Sequence, residues 1–172
     1  VDCGLISMNP VAHTPGCILN AGRIERSRGE FWLYEEGVTP CVARVMEMLD
    51  SERLELVKRF GYKPIRFVDI NAGDREPRTI WEEINSSMRL TPIKGPTSIY
   101  NRYFTEDIPF GLVPWSRFGD LVGVETPVMD SLIQLGSIII EQDAWATGRS
   151  LADYGIEGMT VEEIKQYLYE GE

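Results

Sequence analysis

Apolar positions along this chain recur mostly at helical spacing. The clearest run follows Thr126-Pro127, where Val128, Leu132, Leu135 and Ile139 lie four, three and four residues apart, one face of an α-helix. Thr126 and Pro127 mark its start, a capping hydroxyl followed by a proline at the first helical position. The same pair opens a second segment at Thr39-Pro40, where Cys41, Val42, Val45, Met46 and Leu49 predict a helix. Asp50-Ser51 reads as a restart, with "SERLELVKRFG" stopping at Gly61. Asn9 to Arg23 holds a first helix, irregular around Pro15 because a proline pushes the preceding residue away from the helical region.

Shorter helices are expected over "RTIWEEINSSM", through "EDIPFG" with Thr105 as cap, and over "PWSRFGDLVG" as far as Gly123. "TVEE" is a capping box, Thr160 to Glu163, ahead of an amphipathic last helix. "RGEFWLYEEGV" is aromatic and partly alternating, which fits a short extended excursion or a hairpin-like loop containing a solvated Glu35-Glu36 turn. "YKPIRFVDINAGDREP", punctuated by Gly73 and Pro77, and "TPIKGPTSIYNRYF" read as long loops. With no internal repeat and no linker, residues 1–172 predict one all-α domain with short extended excursions and long loops. Cys17, Cys41, Trp81 and Trp115 are expected in its core.

Composition narrows the function. A chain of 172 residues, 43% hydrophobic and with four Trp, can bury a core. A net charge of -10 argues against nucleic acid and against anionic membrane surfaces as partners. It leaves room for arginines to converge in a pocket, since net charge describes only the far field. No apolar run approaches the length of a membrane span, and no leader-like pattern opens the chain. Cys3, Cys17 and Cys41 are odd in number and widely spaced, and a single histidine cannot build a His–Cys zinc site. No metal is therefore expected, and a reducing cytoplasm is the expected compartment. The start at Val1 without Met fits a processed or excised piece. Neither G-x-G-x-x-G nor a P-loop occurs, so a nucleotide would have its main site in sequence outside these residues.

Two places carry candidate chemistry. His13, the only histidine, lies near a helix start, where a solitary imidazole is more often structural than catalytic. Asn20 lies two turns on and shares its face if the helix continues, either lining a pocket or making a packing hydrogen bond. The second place is "NRYFTEDIPFGLVP", where Arg102, Glu106 and Asp107 are interleaved with Tyr103, Phe104, Ile108 and Phe110. Partly buried charges need partners or a ligand. One reading is a structural Arg–carboxylate pair holding a loop. The other gives Asp107 to His13 as its orienting carboxylate and leaves Arg102 to fork onto a substrate carboxylate.

Taken together, "NPVAHTPGCILNAGRIE", "FWLYEEGVTPCVARV", "GPTSIYNRYFTEDIPFGLVPW" and "VETPVMDSLIQLGSIII" resemble, in this order, the C-terminal helical domain of the octopine/nopaline (opine) dehydrogenase family. The resemblance runs from Asn9 to about Trp145. It implies a fold like the helical C-terminal domain of 6-phosphogluconate dehydrogenase, and a preceding Rossmann domain that binds NAD or NADP. It also implies reductive condensation of an amino acid with a 2-oxo acid. The family's "NPxxHP"-like motif falls on His13, with Thr14 standing before the proline, and its "RYxTED" segment falls on Arg102 to Asp107. The implied roles are His13 as acid–base, Asp107 as its partner and Arg102 as a substrate contact; Asn20, from its place two turns after His13, is a second candidate substrate contact. Two rival readings stand against this. One is a stand-alone helical binding or dimerisation module without redox activity; under either reading the apolar helix Val128 to Ile140 could form a homodimer surface. The other is a ketopantoate or 3-hydroxyacid type of reductase, whose relatives usually place a lysine where His13 stands.

Overall fold

Proline opens the long helices because a first-turn residue has no intrahelical partner for its N–H. The computed structural model describes residues 2–70 and 78–171, so the expected loop punctuation at Gly73 and Pro77 lies outside the described residues. Within them the order is α1 (Asp2–Ile6), α2 (Asn9–Ile18), α3 (Ala21–Ser27), α4 (Pro40–Arg59), α5 (Ile80–Asn85), α6 (Arg102–Thr105), a π-helical turn (Ile108–Leu112), α7 (Val113–Val122), α8 (Pro127–Ile139), α9 (Ala144–Thr147) and α10 (Val161–Glu170). No strand forms among the described residues, and the extended excursion reduces to one antiparallel bridge between Trp32 and Lys94. The domain is all-α.

The core is built around α2 and α4. α2 packs against α4, α6 and α8, and α4 in turn against α5, α7 and α8. Val11, Cys17, Met46, Leu49, Leu56, Leu112, Val113, Met129 and Ile133 fill the space between them. A buried ion pair locks one end. Arg53 is fully buried and donates to Asp50 Oδ1 through Nε at 2.8 Å and Nη2 at 2.7 Å. Nη1 and Nη2 also donate to the carbonyls of Leu5 and Ile65, both at 2.7 Å, so the first segment and the loop after α4 hang on one guanidinium. Such a pair persists because the buried charges are answered by each other and by backbone carbonyls.

Several local expectations change. The helix from Asn9 does not continue to Arg23; it ends at Ile18, and Asn20 becomes the residue before α3. α4 runs unbroken through Asp50-Ser51, because Asp50 faces Arg53 one turn on rather than capping a new helix. Thr105 closes α6 instead of opening the next turn. Thr126 does not cap α8 with its side chain; Glu52 of α4 reaches across and accepts from the N–H groups of Val128 at 2.8 Å and Met129 at 3.0 Å. Burial pushes that carboxyl up while the two N–H groups pull it back.

The stripe that α8 buries is Met129, Leu132, Ile133 and Gly136, and Leu135 is 46% exposed. α8 carries two overlapping apolar stripes, and its neighbours choose between them. Cys41 sits exposed in the first turn of α4 while Val42 and Ala43 turn inward, and Trp81 is 39% exposed beside buried Ile80 and Ile84. The sequence marked these residues as apolar but not which way they face. The capping box at Thr160 and Glu163 forms as read, and another closes around Thr79 and Glu82.

Candidate active site

His13 lies in the second turn of α2, a helix with a proline inside it. Pro15 offers no N–H to the carbonyl one turn back, and Thr14 turns its hydroxyl onto the Pro10 carbonyl at 2.7 Å. The helix keeps its course but stops one turn after the proline. Gly111, in the π-helical turn, faces α2 at close range: a Cβ there would lie 2.7 Å from Pro10 Cγ. Only glycine lets the two segments approach this closely.

The opposing segment is wound more loosely than an α-helix. Asp107 N–H donates to the Arg102 carbonyl at 3.1 Å, and Leu112 N–H donates to the Asp107 carbonyl at 3.0 Å. Both bonds span five residues, so Asp107 sits between two wide turns, a geometry that re-aims a side chain. The consequence is a contact across 94 positions of sequence, His13 Nδ1 to Asp107 Oδ2 at 2.7 Å. Asp107 is 7% exposed and His13 is nearly as enclosed. No group among the described residues bonds Nε2, so one edge of the imidazole is tied and the other is open. One ring face lies against Tyr103, with centroids 4.1 Å apart and planes tilted by 39°.

The groups around the pair hold their protons. Burial pushes the Cys17 thiol and the Tyr34 phenol well above their ordinary values, and the charge of Asp107 adds to each. The Tyr103 phenol is raised as well, chiefly by burial. Among these side chains, His13 and Asp107 are the two joined by a short hydrogen bond.

Arg102 is not the partner of Asp107. It is exposed, with only a loose 3.6 Å contact from Nε to Glu106 Oε2 one turn on. Its guanidinium borders a cleft of about 260 Å³ that Asn9, Pro10, Glu106, Asp107 and Trp115 also line. A larger open groove, about 720 Å³ along Phe67, Ser87, Met88 and Ile93, contains none of the four sequence-predicted residues. Asn20 is committed to the scaffold on its donor side, where Nδ2 donates to the Gly16 carbonyl at 2.8 Å and the Gly37 carbonyl at 3.0 Å. The end of α2 at Ile18 removes the shared helical face that would have set Asn20 beside His13.

Tyr103 was not singled out in the sequence, although its place between Arg102 and Asp107 in an aromatic-rich run was a usable signal. Among the described residues no three or more His, Cys, Asp or Glu side chains group to hold a metal ion, and no helix is long and apolar enough to cross a membrane.

The described residues thus form an all-helical domain that carries a histidine–carboxylate pair, with an exposed arginine on the carboxylate's own segment. Residues 1–140 match the family model described as the NAD/NADP octopine/nopaline dehydrogenase alpha-helical domain, and the chain belongs to that family. It is 35% identical over 163 residues to an opine dehydrogenase of Arthrobacter sp. (strain 1C), covering 94% of this chain and 45% of that protein. It is 31% identical over 153 residues to vitopine synthase of Allorhizobium ampelinum, covering 87% of this chain and 42% of that one.

Among solved structures, octopine dehydrogenase described with NADH and pyruvate superimposes with a TM-score of 0.70 at 18% identity, over 91% of this chain and 45% of that one. The same enzyme described with NADH and L-arginine gives 0.70 at 19% identity, over 93% and 47%. At those identities the likeness concerns the fold. The chain spans a little under half the length of the relatives it matches.

Proposed function

We propose that this chain is the substrate-side, catalytic half of an NAD(P)H-dependent opine dehydrogenase, which condenses an amino acid with a 2-oxo acid and reduces the product. The observation that carries the reading is the 2.7 Å bond between His13 Nδ1 and Asp107 Oδ2, with Nε2 left open. The relatives named as opine dehydrogenase and vitopine synthase support the reaction class. The described residues offer no dinucleotide cradle, having neither a strand nor a G-x-G-x-x-G turn. In this proposal a Rossmann domain outside residues 1–172 holds the nicotinamide cofactor, which supplies hydride when bound.

The residues here perform the remaining tasks. Asp107 accepts from Nδ1–H, which fixes the tautomer and stabilises the imidazolium once it forms. Amine addition to the oxo carbon gives a carbinolamine. Protonated Nε2 donates to its hydroxyl, water departs with the C–O electron pair, and an imine remains for reduction. Arg102 pairs its guanidinium with a substrate carboxylate and so sets the orientation of the reacting carbon. Asn20 holds a narrower place, with only Oδ1 left to accept from an ammonium group. The test is a matrix of amino acids against 2-oxo acids on the full-length protein, following NAD(P)H absorbance. Oxidation that requires both substrates and collapses in His13→Ala is expected. No oxidation with any pair, or full turnover without the imidazole, refutes the proposal.

A further inference from the structure

We infer that Tyr103 is a positioning residue for His13, its ring acting as a backstop that holds the imidazole with Nε2 aimed outward; the inference rests on the acid–base role proposed above. A single hydrogen bond at Nδ1 fixes one edge of an imidazole and leaves the ring free to tilt about that edge. The Tyr103 ring removes this freedom. It lies against the imidazole at 4.1 Å between centroids, within aromatic contact distance.

The backstop is itself anchored. Tyr103 N–H donates to Asn101 Oδ1 at 2.9 Å, and Phe104, the next residue, is fully buried. Arg102, Tyr103 and Asp107 belong to one continuous segment, tied by the Asp107 N–H to Arg102 carbonyl bond. Substrate clamp, ring backstop and carboxylate therefore move as a unit against α2. The phenolic oxygen makes no hydrogen bond to other described side chains, so the face of the ring, rather than its hydroxyl, performs this task.

His13 is the only histidine, so its imidazole signals in a ¹⁵N-histidine-labelled chain need no assignment. Tyr103 is partly exposed, so the leucine variant keeps the helical fold, and circular dichroism checks this. In Tyr103→Leu the ring-current displacement of the imidazole protons is lost, and the Nδ1–H proton, no longer held in line with Asp107, exchanges faster with solvent. In the full-length protein kcat falls on the order of tenfold to a hundredfold, while the KM values move less than about twofold, because the substrate contacts are untouched. Tyr103→Phe restores both readouts.

A leucine variant with unchanged Nδ1–H exchange and unchanged kcat overturns the inference. A phenylalanine variant as impaired as leucine also overturns it, by moving the role to the hydroxyl. Full turnover in His13→Gln overturns the acid–base reading instead, and the two failures are separable because the Nδ1–H exchange measurement does not pass through turnover.

Discussion

Replacing Asp107 by Asn changes charge at nearly constant shape, which isolates what the carboxylate does for His13. The bond is short, 2.7 Å, and Asp107 is only 7% exposed, so solvent screens it little. Hydrogen bonds to charged groups are worth about 1.5–3 kcal/mol net. If that stabilisation is realised as the imidazolium forms, kcat/KM falls roughly 10- to 150-fold, at about 1.4 kcal/mol per tenfold. An asparagine can also present its amide N–H to Nδ1, which would place the imidazole proton on Nε2, the wrong nitrogen to accept one. Arg102 contacts Glu106 rather than Asp107, so the KM of the carboxylate substrate should stay within about twofold. The assay is steady-state NAD(P)H oxidation by the full-length protein, paired with the ¹⁵N tautomer measurement on the single histidine. Turnover within twofold of the parent would refute the reasoning, because a buried charge contacting the general acid cannot be silent if the acid uses it.

Arg53→Ala should cost about 3–5 kcal/mol in urea unfolding, since it leaves Asp50 buried without its partner; the double replacement Arg53→Leu with Asp50→Asn should cost less, and an additive double variant would contradict the pairing. Cys41 should alkylate rapidly in the native state, because it is exposed and a hydrogen bond from Thr39 holds its thiol below the ordinary value, whereas buried Cys17, its thiol pushed up, should react only on unfolding. Peptide mapping after a short pulse of iodoacetamide checks this, and equal native labelling at both sites would sink it.

Glu82 and Glu163 are held below their ordinary value of 4.5 by bonds from the capping threonines. Their folded pKa lies below the unfolded one, so their contribution is present above about 4.5 and lost as pH falls through the folded value. Glu163→Gln should flatten the acid limb of a helicity titration, and an unchanged limb would count against the box.

Local chemistry made much of the architecture legible in the sequence. Thr-Pro and Thr-x-x-Glu signals act within one turn of the backbone, so the starts at Pro40, Pro127 and Val161 could be read without knowing what packs nearby. The run of motifs from His13 to Asp107 likewise placed the candidate pair, because family resemblance carries contacts that spacing cannot. Facing was a different matter. Leu135, Cys41 and Trp81 are apolar in the sequence and open to solvent in the fold, since only the neighbouring helices decide which of two apolar stripes is covered. Asn20 shows the same limit: whether it looks at His13 or at the Gly37 carbonyl depends on a helix end that pattern alone ran straight through.

The sequence by itself thus determined where most helices start, the Thr160–Glu163 capping box and the one imidazole in the chain. The tertiary structure decided that this imidazole meets Asp107 and Tyr103 across some ninety positions of chain, and that Arg102 stays free of Asp107. The physical reason is range. Capping and periodicity are set by bonds within a few residues, whereas an active site is a set of distances fixed by close approaches such as Gly111 against Pro10.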